Sequence, residues 1–161
     1  FWIELTSWLL GDDLLNCLVD KFQPFVTERL RNSKAKKISL EPTALLIRDF
    51  QNYMIPPHTD TARRLLALMF YIPKDSNTSH LGTSIYRPIN SNIRLEGGDS
   101  NSDSGHYPRN AFKEVTRLDY LPNSLYGFFR TDNSFHGVEP VGEPVERNSL
   151  LYFIRVNEIS S

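Results

Sequence analysis

A single cysteine, Cys17, in 161 residues excludes an intramolecular disulfide framework and makes a reducing compartment, the cytoplasm, the default expectation. Cys17 falls in a helical apolar pattern, where a small, inert, buried thiol is the expected role. An excess of positive charge is also missing. Eighteen Lys and Arg stand against 19 Asp and Glu, a net charge of −1, so the electrostatic footprint of a nucleic-acid binder is absent. The longest strongly apolar run, Leu65 to Ile72, falls far short of the ~20 residues of a bilayer span. No membrane or nucleic-acid partner is therefore expected. The apolar start Phe1-Trp2-Ile3 lacks the basic flank of a signal peptide and soon meets Glu4, Asp12 and Asp13. The chain does not open on Met, and a native piece is expected to precede Phe1. What is plentiful is apolar surface. With 40% hydrophobic residues, ten Phe, seven Tyr and two Trp, the chain can bury a core without staples, as one domain over residues 1–161.

Residues 1–38 form a helical support region. Ile3, Leu5, Trp8, Leu9, Leu14, Leu15, Leu18, Val19, Phe22, Phe25 and Val26 recur at three- and four-residue steps, which gives one adhesive face. Gly11 before Asp12-Asp13 reads as a stop and a fresh N-cap, hence two helices, with Pro24 bending or ending the second. Trp2 and Trp8 read as anchors. The basic run Arg29, Arg31, Lys34, Lys36 and Lys37 reads as a solvated loop.

From residue 39 the character changes. Ala44–Arg48, His58–Asp60, Arg64–Ile72, Gly82–Arg87, Phe112–Asp119, Ser124–Arg130, His136–Pro140 and Ser149–Val156 read as short strands separated by Pro, Gly, Asn, Asp and Ser clusters. So many strands without interleaved helices predict an antiparallel sandwich or barrel. The polar stretch from Pro88 to Asn110 is too long for an ordinary connection and reads as a surface insertion, a candidate lid.

Three features carry chemistry. His58-Thr59-Asp60 places an imidazole and a carboxylate two residues apart, which on a strand share a face. His136 lies in Ser-Phe-His-Gly-Val some 75 residues later, and Arg147-Asn148-Ser149 opens the last strand. Two His and one carboxylate suit ferrous iron, because they occupy one face of an octahedron and leave three positions open. Each piece alone is weak; the ordered combination is specific.

On His58, Asp60, His136, Arg147 and Ser149 the sequence resembles the iron(II)/2-oxoglutarate-dependent oxygenases. The stretches Tyr53-Met-Ile-Pro-Pro-His-Thr-Asp60, Leu65 to Pro73, Leu81-Gly-Thr-Ser-Ile-Tyr86 and Phe135-His-Gly-Val-Glu-Pro140 share that family's texture. The resemblance runs from about residue 43 to 156. It implies a double-stranded β-helix, a jelly roll of eight strands in two sheets, outside which the N-terminal helices would pack. It also implies Fe(II) on His58, Asp60 and His136, with O2 and 2-oxoglutarate as co-substrates. Arg147 would take the distal carboxylate of the keto acid through two parallel hydrogen bonds, and Ser149 would add a hydroxyl. Tyr71 would set its phenol against the same carboxylate, unless it is a core aromatic with a hydrogen-bonded tip. Tyr53 and Thr83 are weaker candidates for the pocket wall. Asp60 favours hydroxylation, desaturation or ring closure, since related halogenases lack that carboxylate.

The implied activity is dioxygenase turnover of a small metabolite or peptide-linked substrate, releasing succinate and CO2. A non-catalytic metal-binding β-barrel and a protein side-chain hydroxylase are the alternatives. Arg87, Arg94 and Arg109 around the insertion make an anionic small molecule a conceivable guest. His80 and His106 read as exposed spectators. Asp132 reads as a turn residue rather than a partner for the second nitrogen of His136. Oligomeric state is not legible.

Overall fold

Successive residues of a strand point to opposite sides, so each strand presents one face inward and one outward. The computed structural model describes residues 1–31, 37–90, 106–142 and 144–159. In it the strands are β1 (Lys37–Asp49), β2 (Ile55–His58), β3 (Arg64–Tyr71), β4 (Ser84–Pro88), β5 (Phe112–Arg117), β6 (Ser124–Phe129), β7 (His136–Val138) and β8 (Arg147–Ile159). They build two four-stranded sheets, ordered β1-β8-β3-β6 and β2-β7-β4-β5, and every pairing is antiparallel. First pairs with last, second with seventh, third with sixth and fourth with fifth, as if one long hairpin had been rolled up. This is the double-stranded β-helix, or jelly roll.

Three helices precede it: α1 (Trp2–Leu9), α2 (Asp12–Lys21) and α3 (Gln23–Arg31). Leu9, Leu18 and Val26 join Leu66, Leu68, Tyr152, Ile154 and Val156 in one apolar cluster, so the helices cover the outward face of the larger sheet. The sequence reading of two helices needs correction. Pro24 is the second residue of α3, a first-turn position where its missing N–H satisfies nothing and is not missed. Trp2 and Trp8 are 61% and 53% exposed and do not anchor; Leu5 and Leu9 do. Cys17 is exposed as well, because Leu14, Leu15 and Leu18 carry the packed side of α2. Arg29 and Arg31 belong to α3, and Arg29 Nη2 donates to the Ala62 carbonyl at 2.6 Å. Lys34 and Lys36 lie outside the described residues.

The first and last strands exceed their expected bounds, Ala44–Arg48 and Ser149–Val156. Both run for 13 residues in an unbroken register from Lys37↔Ile159 to Asp49↔Arg147. Pro42 does not stop β1, because an edge strand can leave a proline nitrogen on its unpaired side. Pro56 and Pro57 sit on the other sheet's edge strand, β2, by the same logic. No described helix is long and apolar enough to cross a membrane.

Gly82 ties the turn before β4 to the segment after β5. A Cβ there would stand 1.5 Å from the Leu118 carbonyl oxygen. This close approach lets the Thr83 carbonyl accept the Leu118 N–H at 2.9 Å and the Ser79 carbonyl accept the Tyr120 N–H at 2.8 Å. Replacing Gly82 with Ala is expected to cost roughly 1–3 kcal/mol or more through overpacking, read as a lower denaturant midpoint. An unchanged midpoint would contradict the close packing.

Candidate active site

Strand register assembles the first half of the site. His58 ends β2 and His136 begins β7, and the two are cross-strand partners. Their rings lie 4.3 Å apart between centroids. The expected strand His58–Asp60 stops short, because β2 ends at His58. Asp60 is therefore not aimed by strand alternation. It is held instead by Arg64, whose Nη1 donates to Oδ1 at 2.6 Å, and by Arg130, whose Nε donates to the Asp60 carbonyl at 3.1 Å. His58, Asp60 and His136 each bring one ligand-type atom to within 4.8 Å of the others.

The tautomers suit a metal. The Nδ1 of His58 faces the Pro56 carbonyl at 3.0 Å, and that of His136 faces the Ser134 carbonyl at 2.9 Å. A carbonyl only accepts, so the proton sits on Nδ1 and the Nε2 lone pair is left for a ligand. Burial, and then the nearby His136 charge, pulls the His58 imidazole down to about 4. Burial also lowers His136, against the opposing pull of Asp60. Both rings are thus kept neutral, the form that coordinates.

The second half of the site surrounds Arg147, only 2% exposed. Its Nη1 donates to Asp49 Oδ2 and its Nε to the Leu81 carbonyl, at 2.6 and 2.7 Å. Asp49 is 3% exposed, and burial raises its pKa while the adjoining guanidinium opposes that rise. The two residues are cross-strand partners of β1 and β8. Arg147 Nη2 has no partner, nor has the Ser149 hydroxyl or Asp60 Oδ2, all three of them buried. These three atoms belong to side chains lining a single cavity of about 100 Å³, whose walls include Tyr53, Met69, Thr83, Leu118, Tyr126, Phe128, Val138 and Leu151.

The remaining expected residues fall as follows. Tyr53 and Thr83 line the cavity. Tyr71 stands behind Thr83: its hydroxyl donates to Thr83 Oγ1 at 2.6 Å and accepts the Thr83 N–H at 2.8 Å. Its phenol is committed to Thr83 rather than presented to the cavity. Arg147 has spent Nε on Leu81 and one Nη1 hydrogen on Asp49, which leaves its unpartnered Nη2 as the donor nearest to hand for the expected carboxylate. Asp132 pairs with Arg130 at 2.6 Å and leaves His136 to Ser134. Arg109 is bound to Glu139 at 2.6 Å and packs over the Tyr86 ring. Arg94 and residues 91–105 of the expected insertion lie outside the described residues. His106 is exposed, as expected, yet its ring meets that of His58 at 5.3 Å. The next residue, Tyr107, donates its N–H to the Pro57 carbonyl at 2.9 Å. Asp49 and Arg64 were not singled out by sequence. The first could have been sought as the carboxylate that any buried Arg needs.

No family model and no curated protein matches this chain. Among solved structures it is similar to a Pseudomonas putida prolyl-4-hydroxylase, with 17% identity, a TM-score of 0.46, and coverage of 75% of this chain and 55% of that one. It is also similar to the viral collagen prolyl hydroxylase of Paramecium bursaria Chlorella virus-1, with 16% identity, a TM-score of 0.46, and coverage of 88% and 69%. A third is EvdO2 from Micromonospora carbonacea var. aurantiaca complexed with 2-oxoglutarate, with 14% identity, a TM-score of 0.41, and coverage of 95% and 70%. The chain spans little more than half the length of the first of these. The likenesses are distant; the fold rests on its strand order and the site on its own geometry.

Two outcomes follow from the buried charges. Asp49→Asn leaves the Arg147 cation buried without its counter-charge and is expected to cost about 3–5 kcal/mol in denaturant unfolding; a loss below 1 kcal/mol would show that the pair is not held as described. His58 binds its proton less readily folded than unfolded. Metal-free protein therefore takes up protons on unfolding, and loses stability, as pH falls from the ordinary imidazole value of 6.5 to about 4. At roughly 1.4 kcal/mol per pH unit, His58 contributes a loss on the order of 2–3 kcal/mol. Melts at pH 7.5 and 4.5 should show that loss reduced in His58→Gln; equal losses would place the sensitivity elsewhere.

Proposed function

We propose that this chain is an Fe(II)- and 2-oxoglutarate-dependent dioxygenase domain that oxidises a C–H bond of a small metabolite or peptide-linked substrate. The observation that carries this reading is that three of the four buried polar atoms left without partners among the described residues, Asp60 Oδ2, Arg147 Nη2 and the Ser149 hydroxyl, lie on one cavity, while the fourth, the Tyr152 hydroxyl, belongs to the apolar cluster under the helices. Buried polar groups without partners are costly, and a metal ion and an anion are what would satisfy these. Nε2 of His58, Nε2 of His136 and the Asp60 carboxylate would hold ferrous iron. Arg147 Nη2 and the Ser149 hydroxyl would each give one hydrogen bond to the distal carboxylate of 2-oxoglutarate. Bound together, iron, the keto acid and dioxygen supply oxidative decarboxylation to succinate and CO2 coupled to C–H oxidation.

The chain's own residues supply the setting for that chemistry. The Asp49 carboxylate fixes the guanidinium of Arg147 and, with Leu81, leaves its Nη2 to offer. Tyr71 fixes the Thr83 hydroxyl as an acceptor of its proton, so that Thr83 has its own O–H to present to the cavity. Apolar walls from Met69, Leu118, Phe128, Val138 and Leu151 exclude bulk water. A bare metal-binding barrel has no use for a buried cation with an unspent donor beside a spare hydroxyl. That is the reason to prefer the oxygenase reading over the metal-binding alternative.

Anaerobic addition of Fe(II) and then 2-oxoglutarate is expected to produce the weak visible charge-transfer band of a chelated keto acid. His136→Ala should abolish it. Ser149→Ala should weaken keto-acid affinity about tenfold, the worth of one buried hydrogen bond, and Arg147→Ala by more. No band in the wild-type protein, with iron shown to be bound, would sink the reading.

A further inference from the structure

Two like charges meet beside Asp60, at one edge of the cavity. Arg64 begins β3, and Arg155 of β8 is its direct cross-strand partner, a juxtaposition that is destabilising on its own. Both guanidiniums gather on one buried ring. The Cζ of Arg64 is 4.1 Å and that of Arg155 5.2 Å from the centroid of Phe153, a residue only 2% exposed. Arg64 lines the cavity and donates to Asp60 Oδ1, so Asp60 answers one of the two positive charges. Arg155 is exposed, and its partner on the other side is Glu41 of β1, whose carboxylate accepts from Asn157 Nδ2 at 2.9 Å and forms no ion pair with Arg155.

The position of this pair along β8 gives it meaning. Arg147, Ser149, Leu151, Phe153 and Arg155 follow at two-residue steps and so share the inward face. The first three line the cavity; the ring and the two cations come next, on the side of Asp60. We infer that Arg155 and Arg64, stacked on Phe153, form an anion subsite beside the cavity, next to Asp60, that takes a carboxylate or phosphate group carried on an apolar body. A guanidinium laid over a ring keeps its N–H edge free for an oxyanion, and one anion between the two relieves their repulsion. That this anion belongs to the substrate being oxidised rests on the oxygenase reading. The existence of the subsite does not.

The test uses benzoate and phenyl phosphate as probes and benzamide as the neutral isostere, with 2-oxoglutarate present in excess to occupy Arg147. Saturation-transfer NMR on metal-free protein is expected to show both anions binding at least tenfold more tightly than benzamide. Arg155→Gln and Arg155→Glu, checked for wild-type circular dichroism, should each weaken the anions at least fivefold and leave benzamide unchanged. The tighter of the two anions identifies the group preferred. Equal binding of benzamide and benzoate, or anion affinity unchanged in both variants, would overturn the subsite. Repeating the measurement with Mn(II), its binding followed by electron paramagnetic resonance, separates the two proposals. Bound Mn(II) should broaden the probe resonances in wild type and not in Arg155→Glu. Sharp resonances despite bound Mn(II) and Arg155-dependent binding would overturn the substrate role. Failure of Mn(II) to bind at all would count against the oxygenase reading, while the metal-free comparison would still decide the subsite.

Discussion

The imidazole pair at this site follows from the antiparallel pairing of two short strands, β2 and β7, in a register that sets His58 opposite His136. The pairing is tight because Gly137 carries no side chain: a Cβ there would stand 2.4 Å from the Ile55 carbonyl oxygen. The strands are too short to be stable as an isolated pair. They are held because β7 also pairs with β4, and because the second sheet closes against the larger one across an apolar interior. A slip of one residue would turn an imidazole to the other face. The metal-ligand geometry is thus a property of sheet register before it is a property of the ligands.

Three polar groupings surround the barrel interior. A buried arginine is neutralised on one side by Asp49 and left with an unpartnered Nη2 and a neighbouring hydroxyl. Two neutral imidazoles stand with a carboxylate that has one spare oxygen. Beside that carboxylate two guanidiniums crowd one aromatic ring. Each zone holds polar capacity that the protein does not itself satisfy, and such capacity is costly in a buried setting. A fold selected for stability alone would have no reason to place several such groups around one cavity.

Sequence patterning located the strands well and their ends poorly. Runs of Leu, Ile, Phe, Tyr and Val between turn residues mark strand middles, so those of β3, β6 and β8 were legible. They carry no information on how far a two-stranded ribbon continues beyond the cavity, which is why β1 and β8 proved longer than their apolar stretches. Pro42 is accommodated within β1 because proline opposes strand pairing only where its nitrogen faces a neighbour. The helices erred in the opposite way: the periodicity was right, and the assignment of Trp2, Trp8 and Cys17 to its buried side was wrong, since Leu residues at three- and four-residue steps already filled that side.

By itself the sequence determined the residue types available for chemistry: two imidazoles, a carboxylate two residues from one of them, and an arginine two residues before a serine. The short strand segments without helices between them determined an antiparallel sandwich or barrel, and the jelly roll was what the resemblance carried by those residues implied. Only the tertiary structure decided how those side chains are spent. Asp49 takes one arm of Arg147, Thr83 takes the Tyr71 phenol, Glu139 takes Arg109, and Arg155 is left beside Arg64. Hydrogen bonds and ion pairs are settled by atoms that meet from opposite ends of the chain, 98 residues apart for Arg147 and Asp49, and nothing local to either residue announces the other.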